Sequence, residues 1–141
     1  MTTLSIQLQW SPGELATMDI LGALALPSLP ATPGIYRFRI TDTDGTHHVY
    51  VGETDNLQRR MAHYRKPGPS QFTNLRLNAR LRAALTAATG RVEVSTVTTA
   101  RVSVNGNDLV VDLSKTAQRR LLENAALVEA EQEGADRLVN L

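Results

Sequence analysis

Apolar and polar residues alternate through LSIQLQW, from Leu4 to Trp10, which predicts a short strand. The next segment, SPGELATMDILGALAL, offers Ser11 as an N-cap and Pro12 at the first helical position. It predicts a short helix, followed by a proline-rich loop that runs to Pro33. Alternation returns in GIYRFRIT, with Ile35, Arg37 and Arg39 on one side of the pleat and Tyr36, Phe38 and Ile40 on the other. The cluster DTDGTH is turn chemistry, and HVYVGE continues as strand. Together they predict a β-hairpin carrying Tyr36 and Tyr50 on paired strands.

Beyond Gly52 the period changes to that of a helix. TDNLQRRMAHY has Thr54 or Asp55 as a cap, Leu57 and Met61 facing inward, and Arg60 with Tyr64 on an adjacent stripe. A basic, breaker-rich loop, RKPGPSQ, leads to FTNLRLNARLRAALTAATG. There Thr73 is the expected cap, Leu77, Leu81 and Leu85 form the inner stripe, Arg76 and Arg80 share one face, and Gly90 closes the helix. RVEVSTVTTARVSV reads as strand, NGND as a hairpin turn and LVVDL as its return. SKTAQRRLLENAALVEAEQEG is the last helix, with Ser114 as cap and Leu121, Leu122, Ala125 and Val128 as its buried stripe. The tail ADRLVNL is read as a loop or short extended segment. The expected helices thus span about 55–65, 73–89 and 115–133.

A chain of 141 residues suits one domain with its own core. It has no cysteine, which excludes disulfides, thiolate metal sites and a cysteine nucleophile, and fits a cytoplasmic protein. No apolar run nears the ~20 residues of a membrane span, and the N-terminus has no basic leader of the secretory kind. Net charge is only +1, but its distribution is uneven. Residues 1–55 hold six acids and two bases, residues 56–92 hold eight bases and no acid, and residues 93–141 hold eight acids and five bases. The acid-free stretch carries Arg59, Arg60, Arg65, Lys66, Arg76 and Arg80, interleaved with His63, Tyr64, Gln71, Thr73, Asn74 and Asn78. Cations beside hydrogen-bonding side chains suit a phosphate backbone, so nucleic acid is the expected polyanion. A solvated helix face is the alternative reading of the same arginines.

GIY at Gly34–Tyr36 and YVG at Tyr50–Gly52 resemble the two signatures of the GIY-YIG nucleases. The resemblance extends through Asn56-Leu57, to Arg60 ten residues after Tyr50, to Tyr64 one helical turn later, to Glu123 within LLENAALV and to Asn140 near the end. It covers about Pro33 to Leu141. The fold it implies is α/β in the α+β sense: a small sheet built on a β-hairpin and flanked by helices. Residues 33–141 would form the nuclease-like domain. Residues 1–32 would form an N-terminal extension of short strand, helix and proline-rich loop.

The implied activity is hydrolysis of DNA phosphodiester bonds, branched or damaged DNA included, with one Mg²⁺ or Mn²⁺ ion. Glu123 would hold the metal, with Glu129 as the competing ligand because it lies nearer the family's usual distance from Asn140. One carboxylate suffices for Mg²⁺, which keeps several waters. Of Tyr36 and Tyr50, one would take the proton of the attacking water and the other orient it, with Tyr36 preferred as base; a nearby Arg60 and a metal-bound water both favour a phenolate. Arg60 would clamp the phosphate with parallel hydrogen bonds. Tyr64 would support Arg60 or touch a phosphate oxygen, Asn140 would pin the chain end, and Arg59, Arg65, Lys66, Arg76 and Arg80 would track the DNA backbone. Many members of the family carry lysine after the motif glycine, where this chain has Glu53. A carboxylate there repels a phosphate unless it points away or meets a cation. The rival reading is a catalytically inactive nucleic-acid-binding domain on the same scaffold. Specificity would come from residues 1–32, from the 65–72 loop or from a protein partner.

Overall fold

The computed structural model describes residues 1–134 and the backbone of 136–137. Helices and largely antiparallel sheets mix in an α+β arrangement. The elements in order are β1 (Leu4–Leu8), β2 (Glu14–Leu15), β3 (Thr17–Met18), β4 (Leu24–Ala25), β5 (Gly34–Thr41), β6 (His47–Thr54), α1 (Leu57–Arg65), α2 (Phe72–Thr86), β7 (Arg91–Val97), β8 (Ala100–Val104), β9 (Asn107–Leu109), α3 (Thr116–Gln132) and β10 (Asp136–Arg137).

The central sheet has the order β10-β6-β5-β7-β2, with β10 parallel to β6 and the remaining pairs antiparallel. β5 is its middle, paired along its length with both β6 and β7. The alternation in GIYRFRIT therefore becomes two faces of one strand. Tyr36, Phe38 and Ile40 pack with Leu57, Met61 and Tyr64 of α1 and Leu77, Leu81 and Ala84 of α2. Ile35, Val49 and Val51 pack on the opposite face with Leu122, Ala126 and Ala130 of α3. The small sheet β1-β8-β9 extends that second core through Ile6, Leu8 and Val102. β8 and β9 meet at Asn105 and Gly106, both at positive φ, as the NGND pattern requires.

The first segment differs from expectation. Residues 11–26 form no helix but the short strands β2, β3 and β4. The Asp19 carboxylate accepts the amides of Leu21 and Ala23, closing the β3–β4 turn and offering the backbone a local alternative to a helix. β2 pairs with the edge of the central sheet, and Ala16 and Leu24 are buried in the Tyr36 core. The segment is thus built into the same body as the hairpin.

Helix bounds agree with the pattern to within a few residues, but the caps shift. Asn56, not Thr54 or Asp55, caps α1 by accepting the Arg59 amide at 2.9 Å. Gln71 and Lys115 precede α2 and α3 without a side-chain cap, so Thr73 and Ser114 do not serve. Ser114 instead bonds the Asp112 carboxylate. The stripe of α3 runs Arg119, Leu122, Ala126 and Ala130, and Val128 is exposed. The single strand expected over 91–104 divides at Thr98–Thr99, where the chain leaves one sheet for the other.

Candidate functional site

Two motif glycines are explained by close approach. A Cβ on Gly52 would fall 2.2 Å from the Tyr36 hydroxyl oxygen, so the phenol lies across the bare backbone of the neighbouring strand. Tyr36 pairs with Gly52, and Phe38 with Tyr50, in the β5–β6 register. At Gly34 a Cβ would meet the Val97 carbonyl at 2.8 Å and Leu57 at 2.9 Å, where α1 starts against the sheet. The first amides of α1 are satisfied by the preceding loop, Leu57 donating to Thr32 and Gln58 to Pro30. This seats Arg60 and Tyr64 above β5.

The Tyr36 and Tyr64 hydroxyls are 2.6 Å apart, and Arg60 Nε donates to the Tyr36 oxygen at 3.1 Å. The Arg60 guanidinium also lies over the Tyr64 ring, 4.9 Å from its centroid. Tyr50 stands 6.5 Å from both of these rings, centroid to centroid. Three residues implied by the family resemblance, Tyr36, Arg60 and Tyr64, are therefore one bonded cluster, with Tyr50 beside it.

Burial sets the chemistry of that cluster. Tyr36 is 1% exposed and Tyr64 0%, whereas Tyr50 is half-buried. Desolvation pushes the Tyr36 phenol up to about 12, against the lowering effect of Arg60. Burial also pushes Tyr64 upward, reinforced by Tyr36 and Tyr50. For Arg60 burial works against the charge, but the Tyr36 and Tyr64 oxygens outweigh it and the guanidinium is held more firmly protonated. The expected help from Arg60 to a Tyr36 phenolate is thus present in sign and outweighed in size: Tyr36 is a neutral phenol at ordinary pH.

Two clefts flank the cluster and share Arg60 and His63. One, of about 250 Å³, wraps the end of β6 and adds Glu53, Asp55, Arg59 and Arg119. The other, of about 390 Å³, lies against the start of α2. Glu53 follows Gly52 and so faces the α3 side, away from the phenols. There it meets Arg119, which donates from Nε at 2.5 Å. Arg119 is itself buried and bonded to the Leu113 and Ser114 carbonyls. Glu53 therefore faces away from the phenols and meets a cation, while its side chain still lines the cleft that Arg60 shares.

α3 runs beside β5 in step. Arg37 pairs with Glu129 at 3.3 Å and Arg39 with Glu133 at 2.6 Å, two strand residues (~6.7 Å) against four helix residues (~6 Å). The start of α3 consequently lies at the Gly34–Glu53 end of the hairpin, where Arg119 reaches Glu53. Glu123, half-buried, follows Arg119 by one turn. Glu129 lies farther along, its carboxylate engaged by Trp10 Nε1 at 2.8 Å and by Arg37 on the face opposite the phenols. Asn140 lies outside the described residues.

Among the described residues no group of three or more His, Asp or Glu side chains forms a metal cage. An ion held by Glu123 would rest on a single carboxylate, which is enough only for a cation that keeps most of its waters. The basic stretch is partly internal: Asp55 pairs with Arg59, Asp42 takes two bonds from Arg80 at 3.1 Å, and Glu93 pairs with Arg91. Arg80 is thus committed within the fold, while Arg65 and Lys66 are exposed. His63 and Arg119 line the cleft although neither belongs to the motif. The sequence marks His63 only as one polar residue in the basic stretch and gives Arg119 no mark.

A scan of family models and a search of curated proteins give no match to this chain. Among solved structures it is similar to a mutant of bacteriophage T4 EndoII, at 25% identity and a TM-score of 0.44. The match covers 59% of each chain, so this chain spans about three-fifths of that protein's length. No helix among the described residues is long and apolar enough to cross a membrane.

Proposed function

We propose that this chain is a metal-assisted endonuclease acting on DNA phosphodiester bonds, with Arg60 as the phosphate clamp. The observation that carries the reading is the holding of Arg60. Its Nε is fixed by the Tyr36 hydroxyl, its plane rests on Tyr64, and it lines both clefts. A guanidinium so held is pre-organised for two parallel bonds to a phosphate. The family resemblance on GIY, YVG, Arg60, Tyr64 and Glu123 supports the same assignment.

In this mechanism Tyr36 and Tyr64 position Arg60 rather than exchange protons. The attacking water is assigned to Tyr50, the one of the three phenols with solvent-exposed surface. His63, shared by both clefts, takes the water's proton as general base. Glu123 would hold a Mg²⁺ or Mn²⁺ ion, which when bound supplies charge stabilisation at the departing oxygen. Arg59, Arg65, Lys66 and Arg76 are assigned to neighbouring phosphates.

The test is nicking of plasmid and branched DNA in Mg²⁺ and Mn²⁺. Arg60→Ala, His63→Ala and Glu123→Gln should each lose roughly 100-fold or more in rate while remaining folded. Wild-type protein that binds DNA and nicks none of these substrates would leave the rival, a non-catalytic DNA-binding domain. The burial and mutual bonding of the Tyr36 and Tyr64 hydroxyls is the observation that favours that rival.

A further inference from the structure

We infer that the cleft at the start of α2 receives an unpaired nucleobase stacked on Phe72, so that the substrate class is nucleic acid with single-stranded or unstacked bases. The inference rests on the reading of the chain as a nucleic-acid-binding enzyme and adds which form it selects. Phe72 is the first residue of α2 and is 66% exposed. It shares the cleft of about 390 Å³ with Arg60 and His63 of α1 and with Gln71, Thr73 and Asn74.

Among the described residues no carboxylate lines that cleft, in contrast to the neighbouring one, which holds Glu53 and Asp55. Its chemistry is a cation, an imidazole, an aromatic face, amides and a hydroxyl. That set suits a nucleotide: the cation meets the phosphate, the ring meets the base, and the polar side chains meet its edges. The two clefts meet at Arg60 and His63, so a strand whose phosphate rests on Arg60 has its adjacent nucleotide toward Phe72.

The platform is braced. The Gln71 side-chain oxygen accepts the Gly68 amide at 2.9 Å and Asn74 Nδ2 at 3.1 Å. Asn78 Nδ2 donates to the Tyr64 carbonyl at 2.7 Å, tying α2 to α1 beside Arg60. Phe72 is thereby held at a fixed place relative to the phosphate clamp, and stacking on it restrains only two side-chain torsions. In a regular duplex each base face is covered by its neighbours. Only an unpaired or extruded base offers a free face to an aromatic ring.

The experiment is binding in EDTA, which removes cleavage, at fixed salt. It compares a fluorescent mixed-sequence single strand with the same sequence as a duplex. Wild-type protein should prefer the single strand. Phe72→Ala should weaken single-strand binding by roughly 5- to 100-fold and leave duplex binding and the melting temperature unchanged, since the side chain is exposed. Phe72→Trp should retain the preference, with its added indole emission quenched by the single strand and not by the duplex. Arg60→Ala should weaken both forms. Equal loss on both forms in Phe72→Ala, or no loss, overturns the inference and would leave Phe72 as a protein-contact residue. Absence of cleavage in Mg²⁺ overturns the nuclease reading while leaving this binding difference intact. Wild-type protein that binds neither form overturns both.

Discussion

The two faces of β5 are built from alternate residues of one eight-residue strand, yet they carry different things. The face of Tyr36, Phe38 and Ile40 has hydroxyls and a guanidinium inside an aromatic core. The Ile35 face is aliphatic, and its charges, Arg37 and Arg39, reach the glutamates of α3 at its border. On the first face the Tyr36 and Tyr64 hydroxyls are buried and bonded to each other, with Arg60 held on Tyr36 at the edge of the core, so their positions depend on their neighbours. On the second, the core is apolar and the ion pairs at its border are partly wet. A site that must hold a cation rigidly is better served by the first kind of surface.

The largest expected effects test whether the faces separate stability from function. Phe38, whose ring stands edge-on to Tyr36 and Tyr64, should cost about 3–5 kcal/mol as Phe38→Ala, and DNA binding by the remaining folded protein should fall as well. Leu122→Ala should cost about 2–5 kcal/mol in urea unfolding with binding per folded molecule unchanged. If Leu122→Ala weakens binding as much as Phe38→Ala does, the contrast between the faces is wrong.

Next in size is alkaline pH. Unfolded tyrosine ionises near 10, while folded Tyr36 does so at about 12, so the unfolded state alone loses that proton between them. The stabilisation is whole below pH 10 and is lost as pH rises to 12, with a slope up to about 1.4 kcal/mol per pH unit from this residue. Tyr64 acts in the same direction. Urea unfolding across that range should show the decline, shallower in Tyr36→Phe; an identical slope in both would remove Tyr36 from the account.

Gly52→Ala sharpens the comparison at about 1–3 kcal/mol, because its methyl occupies the space of the Tyr36 phenol. Thermal melts should show the loss, and DNA binding should weaken because Arg60 loses its anchor. The smallest effect is Glu133→Gln, about 0.2–1 kcal/mol and fading with salt, since Glu133 is exposed and Arg39 only part-buried. Retained binding in that variant is expected.

Much of the candidate site could be read before any coordinates. The alternation of GIYRFRIT sorted Tyr36 from Arg37, and the four-residue spacing of Arg60 and Tyr64 put them on neighbouring turns, because both periods are properties of the backbone itself. The segment 11–26 was misread because Pro12 and Asp19 suit a helix start and a tight turn equally well, and the sheet edge at β7 decided between them. The α1 cap was misplaced by one or two residues because Thr54, Asp55 and Asn56 can each accept an amide and packing picks one, while α2 and α3 start with no side-chain cap at all.

The chain's own pattern determined the hairpin and its three helices, since local geometry needs no distant partner, while the part proposed for Arg60 rests on the family resemblance. Only the tertiary structure decided that Tyr36 is a buried neutral phenol, that Glu53 turns to Arg119, and that Arg80 is committed to Asp42. Each of these depends on desolvation or on a charge far away in sequence. Such quantities are set by what surrounds a group in space and leave no trace in the residues beside it.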